Sequence, residues 1–315
     1  MPFLWIFLAL LAIALGILIY CFRQAFYVSK RENIGPNDYP IPIGRIYEPY
    51  RDQMKAWMDE MRALPRQEFS VRSHDGLTLH GLYFVCDPDA PIELMFHGYR
   101  GNAERDLCGG VQRCFALGHN AFIVDQRGAG KSQGRVISFG ANEKKDCHTW
   151  LEFIGQAFPN NPVILTGISM GAATVLLAAG QELPKQVVAV LADCGYSSAE
   201  AIIKDVIRGM KLPPKLAYPF VRLGALLFAG FDPDSDSPIE AMARCKKPVI
   251  FYHGEADDFV PCDMSRRNFE ACAAPKKLVT IPGAGHGLAY LVDPDRYLET
   301  LQSFTEESYQ IPCHR

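Results

Sequence analysis

The apolar run Pro162-Val163-Ile164-Leu165-Thr166 ends in Gly167-Ile168-Ser169-Met170-Gly171, which opens at once onto a small-residue helical stretch over 172–179. A buried strand that turns directly into a helix leaves few folds open to a chain. The turn must be tight, and it pushes the serine at its tip above the sheet edge, where a base can reach the hydroxyl. Glycines two positions before and two after remove side chains that would collide as the turn closes. The strain in such a turn, about 1–3 kcal/mol, usually persists only for function. The pentapeptide alone is weak, because an ordinary serine in a glycine-flanked turn reads the same way. Its weight comes from the flanking strand and helix and from residues further along.

Apolar runs and helical patterns alternate through the chain. Strands are predicted at 92–96, 121–124, 163–166, 187–192, 248–252 and 278–281, with helices at 50–64, 104–117, 144–158, after Ser169, and 294–305. This rhythm predicts an α/β fold, a mostly parallel sheet with helices on both faces. Residues 69–85 alternate around Asp75-Gly76, a hairpin signal, and so place antiparallel N-terminal strands at one edge. The rhythm breaks between Ser197 and Cys245, where two helical stretches (199–210 and 214–229) follow with no strand. They read as helices packed on the sheet, or as a small helical cap whose apolar face meets substrate.

Residues 3–22 carry no charge, enough as a helix to cross about 30 Å of hydrocarbon. A cleaved signal peptide is the competing reading. It calls for a basic start and a small-residue cleavage site, and no Lys or Arg precedes this segment. A retained N-terminal transmembrane anchor over 1–28 is therefore expected. A polar connector and a helix follow over 29–65, then a globular domain over 66–315 with the cap insertion at about 197–245. Arg23, Lys30 and Arg31 flank the segment on its C-terminal side, so the positive-inside rule puts the bulk of the chain in the cytoplasm, beneath the cell membrane. Ten scattered cysteines without a CxxC pair fit a reducing compartment. A net charge of −3 with no basic block gives no reason to expect nucleic acid.

A serine hydroxyl is a weak nucleophile and needs a base, which in turn needs an orienting group. His253-Gly254-Glu255-Ala256-Asp257-Asp258-Phe259-Val260-Pro261 follows one predicted strand, and Gly285-His286-Gly287 follows the last. Both lie at C-terminal strand ends, the edge where ligands collect in open parallel sheets. Ser169 as nucleophile, Asp257 as the orienting acid and His286 as base follow one another in that order along the chain. Asp258 is the fallback carboxylate and Asp193 a second alternative. His253, His97 and His80 read as structural. The oxyanion donors expected are the backbone amides of Met170 and of Tyr99, in the loop after the strand at 92–96. Arg100 reads either as lining the pocket mouth or as a partner of Glu104 or Asp106.

His97-Gly98, the turn 125–132, the elbow at 167–171, His253-Gly254 with Asp257, and Gly285-His286-Gly287 together resemble the α/β-hydrolase superfamily. Within it the chain is similar to bacterial membrane-anchored serine hydrolases of the dienelactone-hydrolase and prolyl-oligopeptidase-like branch. The resemblance covers about 69–308. It implies an α/β-hydrolase fold and acyl transfer to water through a Ser-His-Asp triad, with no metal or cofactor. A carboxylesterase acting on lipid-derived or small acyl esters is the leading expectation. A serine peptidase or thioesterase of the same fold is the nearest rival, and an inactive membrane-tethered binding module the second.

Overall fold

A computed structural model describes residues 2–29, 35, 38–42 and 44–310. Lys30 and Arg31, on which part of the orientation argument rests, and Cys313 lie outside them. Helix α1 (Pro2–Ala25) comes first, then a 3-10 turn (Glu48–Tyr50) and α2 (Arg51–Ala63). A hairpin of β1 (Gln67–Arg72) and β2 (Thr78–Phe84) follows, then β3 (Ile92–Phe96), α3 (Ala103–Ala116), β4 (Asn120–Asp125) and α4 (Glu143–Ala157). Next come β5 (Val163–Ile168), α5 (Met170–Ala179), β6 (Val187–Asp193), α6 (Ala199–Gly209), α7 (Pro214–Ala229) and α8 (Pro238–Arg244). The chain closes with β7 (Val249–Gly254), α9 (Cys262–Ala271), β8 (Lys276–Ile281), α10 (Ala289–Val292) and α11 (Pro294–Gln310).

The eight strands form one sheet in the order β1-β2-β4-β3-β5-β6-β7-β8. β1 pairs antiparallel with β2, and β2 with β4; all the other pairs are parallel. Every residue of β3, β4 and β7 is buried, as helices on both faces require. α5 is buried along its whole length, which is why it consists of small and aliphatic residues. Phe69, Tyr83, Phe122 and Trp150 cluster on one face of the sheet, whereas Tyr252 stacks on Tyr297 of α11 on the other, ring centroids 3.6 Å apart.

Three short elements escaped the sequence pattern: α8, α9 and α10. α8 has only seven residues, too few to show a helical period, and is fixed by Pro238 in its first turn and the Ser237 cap. α9 is largely polar and begins just after Pro261.

α1 is the one described helix long and apolar enough to cross a membrane. Its C-terminal end is built into the domain and does not hang on a tether. Phe26 is fully buried and meets Phe139 and Phe231 edge-on. Val28 N–H donates to Arg135 O at 2.8 Å, and Ile137 N–H donates to Phe26 O at 2.8 Å.

Candidate active site

β3 and β5 are neighbours, but the chain leaves β3 for β4 on one side and β5 for β6 on the other. The loops at their C-terminal ends diverge there and open a crevice between them. Ser169 stands at this point. Its φ is +56° and ψ −118°, a conformation that L side chains avoid. Two glycines make it possible. A Cβ on Gly167 would lie 2.2 Å from Gly171 O, and one on Gly171 would lie 2.0 Å from Phe96 O. Ser169 N–H donates to Asp193 O at 2.8 Å, tying the turn to β6.

The structure brings Ser169, His286 and Asp257 into one hydrogen-bonded line. His286 Nε2 lies 2.9 Å from Ser169 Oγ, and Nδ1 lies 2.7 Å from Asp257 Oδ2. A carboxylate can only accept, so Nδ1 carries the proton and Nε2 is left to accept from the serine hydroxyl. Asp257 Oδ1 accepts the amides of Phe259 at 2.9 Å and Val260 at 2.8 Å, which fixes the carboxylate. Burial would raise the Asp257 carboxyl; hydrogen bonds from His253 and His286 outweigh it and hold the group well below the usual carboxylate range.

Asp258 is exposed and lines the crevice mouth. Asp193 is buried with its Oδ2 accepting the Tyr297 hydroxyl at 3.0 Å, and burial pushes its carboxyl up. Its backbone carbonyl, not its side chain, meets Ser169. His253 reaches Asp257 Oδ2 at 3.2 Å while its Nε2 also faces Val260 O at 2.9 Å, so it braces the acid from below. His97 accepts Gln126 N–H at Nε2 (2.9 Å) and donates from Nδ1 to Gly98 O (2.8 Å), holding the loop after β3. His80 is tied to Glu68 at the sheet edge.

That loop closes over the serine, and a Cβ on Gly98 would lie 3.4 Å from Ser169 Cβ. Among the described residues, the backbone N–H groups of Tyr99 and Met170 find no acceptor. Met170 is the first residue of α5, where an unpaired N–H is inherent to the helix end. Asp106 Oδ2 accepts Gly98 N–H at 2.9 Å and holds the loop from α3. Arg100 takes neither sequence-expected place. It reaches away to the end of α1, donating to Gln24 O at 2.8 Å, while Glu104 pairs with Arg62 and Asp106 with Arg105.

A cleft of about 820 Å³ opens over Ser169 and His286, walled by Ile41, Ile46, Tyr47, Tyr99 and Phe259 among others. The cover is thus the segment before α2, not the helical insertion, none of whose described residues lines the cleft. The insertion went elsewhere because its apolar α7 packs against α1. Tyr47 donates its hydroxyl to His286 O at 3.1 Å, and Phe259 meets the His286 ring edge-on at 5.1 Å. Sequence reasoning missed Tyr47, Phe259 and Asp106. Only Asp106 carried a signal, a carboxylate in the first turn of a helix capped by Asn102.

Two groups of described residues gather three metal-type donors: Cys194, Asp257 and His286; and His74, Asp75 and Asp146. In the first, Asp257 and His286 already bind each other, and in the second Asp75 and Asp146 both hold Arg127. Neither donor set is left open for an ion.

A doubly wound sheet with a strained serine elbow at its switch point, and a histidine and an acid on later strand ends, is the α/β-hydrolase fold. A family model described as "Serine aminopeptidase, S33" matches residues 90–218. The chain is 27% identical to the Bacillus subtilis "Uncharacterized protein YqkD", over 79% of its own length and 82% of the relative's. It is likewise 27% identical to "Protein bem46" of Schizosaccharomyces pombe, over 96% and 91%. Among solved structures, the Pyrococcus furiosus esterase Pf2001 superposes with a TM-score of 0.65 at 20% identity, over 86% of this chain and 97% of that one.

Proposed function

We propose that this chain is a membrane-anchored serine hydrolase that cleaves carboxylic esters through an acyl-enzyme. The reading rests above all on the Asp257–His286–Ser169 line beside two unpaired amides. His286 Nε2 takes the hydroxyl proton as Ser169 Oγ attacks the ester carbonyl. Asp257, held ionised, keeps the imidazole in the required tautomer and stabilises its cation. The Tyr99 and Met170 amides receive the negative oxygen, each donor being worth about 2.7–4 kcal/mol of barrier. The imidazolium returns its proton to the departing alkoxide. Water, activated by the same histidine, then attacks the acyl-serine and releases the acid.

The similarity to solved esterases supports an ester substrate. The family description supports a second reading, an amide or peptide substrate at the same site. α1 serves as the anchor, and Arg23 at its end favours a cytoplasmic domain. Labelling with a fluorophosphonate probe, followed by rates on matched p-nitrophenyl esters, thioesters and peptide anilides, tests the proposal. An unlabelled Ser169 favours the binding module; faster anilide than ester turnover favours the peptidase.

A further inference from the structure

Eleven large apolar side chains outside α1 are exposed among the described residues, and nine of them lie between Val206 and Phe228. They belong to the hairpin of α6 and α7. Leu216 is 69% exposed and Leu227 60%, values otherwise found in α1. A monomeric surface rarely concentrates apolar side chains so heavily without a function.

The hairpin is not isolated. A Cβ on Gly224 would lie 3.2 Å from Leu18 O and from Phe22 Cβ, so α7 packs directly on α1 through a small residue. The Phe22 and Phe228 rings meet at 5.5 Å. Ala14, Leu18, Cys21 and Ala25 are the half-covered positions of α1, with Phe22 buried among them. Their spacing marks one stripe of the helix turned towards α7. The rest of α1 is exposed; an 18-residue stretch of the helix has a mean hydropathy of 2.7, and its 24 residues would rise about 36 Å. The exposed faces of α1 and α7 therefore form one continuous apolar surface.

The chemistry of the rim matches a bilayer better than a protein. Lys211 sits in the turn between the helices and Lys215 in the first turn of α7, where long stems let ammonium groups reach phosphate headgroups. The cleft is fixed to the same surface. Tyr99, which walls it, donates its hydroxyl to Ala25 O at 2.7 Å, and Phe26 is buried with Met170 in one cluster.

We propose that the α6–α7 hairpin is a second membrane-seated element, set into the phospholipid bilayer beside α1. The two hold the cleft at the headgroup level, where an ester of a membrane-dissolved amphiphile enters. This rests on the anchor and hydrolase readings above.

A photo-cross-linking amino acid placed singly at Leu8, Leu216, Leu227 and, as a control, Glu152 of α4 tests the placement. The full chain is reconstituted in phosphatidylcholine–phosphatidylglycerol vesicles carrying an alkyne-tagged lipid. Lipid adducts at Leu8, Leu216 and Leu227, with none at Glu152, are expected. Adducts at Leu8 alone, or protein–protein adducts at Leu216 and Leu227, overturn the hairpin and leave the anchor standing. Adducts on the hairpin but not at Leu8 leave the hairpin standing and remove the anchor. No adducts anywhere remove both. A Leu216→Glu/Leu227→Glu variant should lose about tenfold in turnover of a vesicle-embedded long-chain ester, because charges replace two leucines that the proposal sets into the bilayer. Its turnover of soluble p-nitrophenyl acetate and its melting temperature should stay unchanged. Equal rates on the vesicle substrate overturn the membrane route. No turnover of either ester, in variant and parent alike, removes the esterase reading instead.

Discussion

The phenol of Tyr99 donates a 2.7 Å hydrogen bond to Ala25 O, joining the loop above Ser169 to the last turn of the apolar N-terminal helix. The end of α1 is thus part of the scaffold that positions a proposed oxyanion donor. Tyr99→Phe keeps the backbone amide but frees the loop from α1. One such bond is worth about 0.5–1.5 kcal/mol, so kcat should fall up to about tenfold with KM nearly unchanged. A rise in KM at constant kcat would instead make the ring a substrate contact.

Ser169→Ala should abolish ester turnover and fluorophosphonate labelling while leaving the fold intact. Ser169→Gly should also be inactive, but more stable. Glycine accepts the positive φ at 169, so relief of part of the strain, on the order of 1 kcal/mol, should raise the melting temperature. A lower melting temperature for the glycine variant would argue against a strained elbow.

The two adjacent carboxylates should separate sharply in activity. Asp257→Asn removes the acceptor that fixes the His286 tautomer, and kcat should drop by about 10⁴. Asp258→Asn, at an exposed position, should stay within a few-fold of the parent. Comparable losses in both would show that the acid role is shared.

Glu93 predicts how the fold responds to acid. It is fully buried on the central strand β3, paired with Arg113 and His119. Burial alone would raise its carboxyl, but Arg113 and His119 bring it down to about 2. Because the folded value lies below the unfolded one, the ion pair stabilises the protein above about pH 4.3 and loses that contribution as pH falls towards 2. Glu93→Gln should cost about 3–5 kcal/mol near neutrality, since it strands Arg113 in the core. It should also flatten stability between pH 4.3 and 2, as followed by urea unfolding. An unchanged acid slope would place the titrating group elsewhere.

Gly171 tests the close approach at the elbow. Gly171→Ala drives a methyl to 2.0 Å from Phe96 O, a backbone atom that cannot step aside cheaply. Loss of soluble protein, or destabilisation by at least about 3 kcal/mol, is expected. A well-folded, active variant would mean that β3 and α5 can separate.

Much of this was legible locally. The strand-to-helix turn, the alternation of elements and the hairpin at Asp75-Gly76 all depend on residues a few positions apart, and each appears near its expected place. The short helices α8 and α9 were not legible, because seven or ten residues with polar faces show too little periodicity. Arg100 also misled. Its near neighbours Glu104 and Asp106 were already engaged by Arg62 and Arg105, partners that no local pattern reveals.

By itself the sequence determined the α/β framework and placed a serine, an acid and a histidine on strand ends, since hydrophobic periodicity and the steric needs of glycine act over short range. Only the tertiary structure decided which carboxylate meets His286, through the ties from Asp257 Oδ1 to the amides of Phe259 and Val260. It alone roofed the cleft with the segment before α2 and laid α7 along α1. Those outcomes turn on which of several apolar faces find each other across distant parts of the chain. Any such face can bury its area against more than one partner, and the choice belongs to the packed whole.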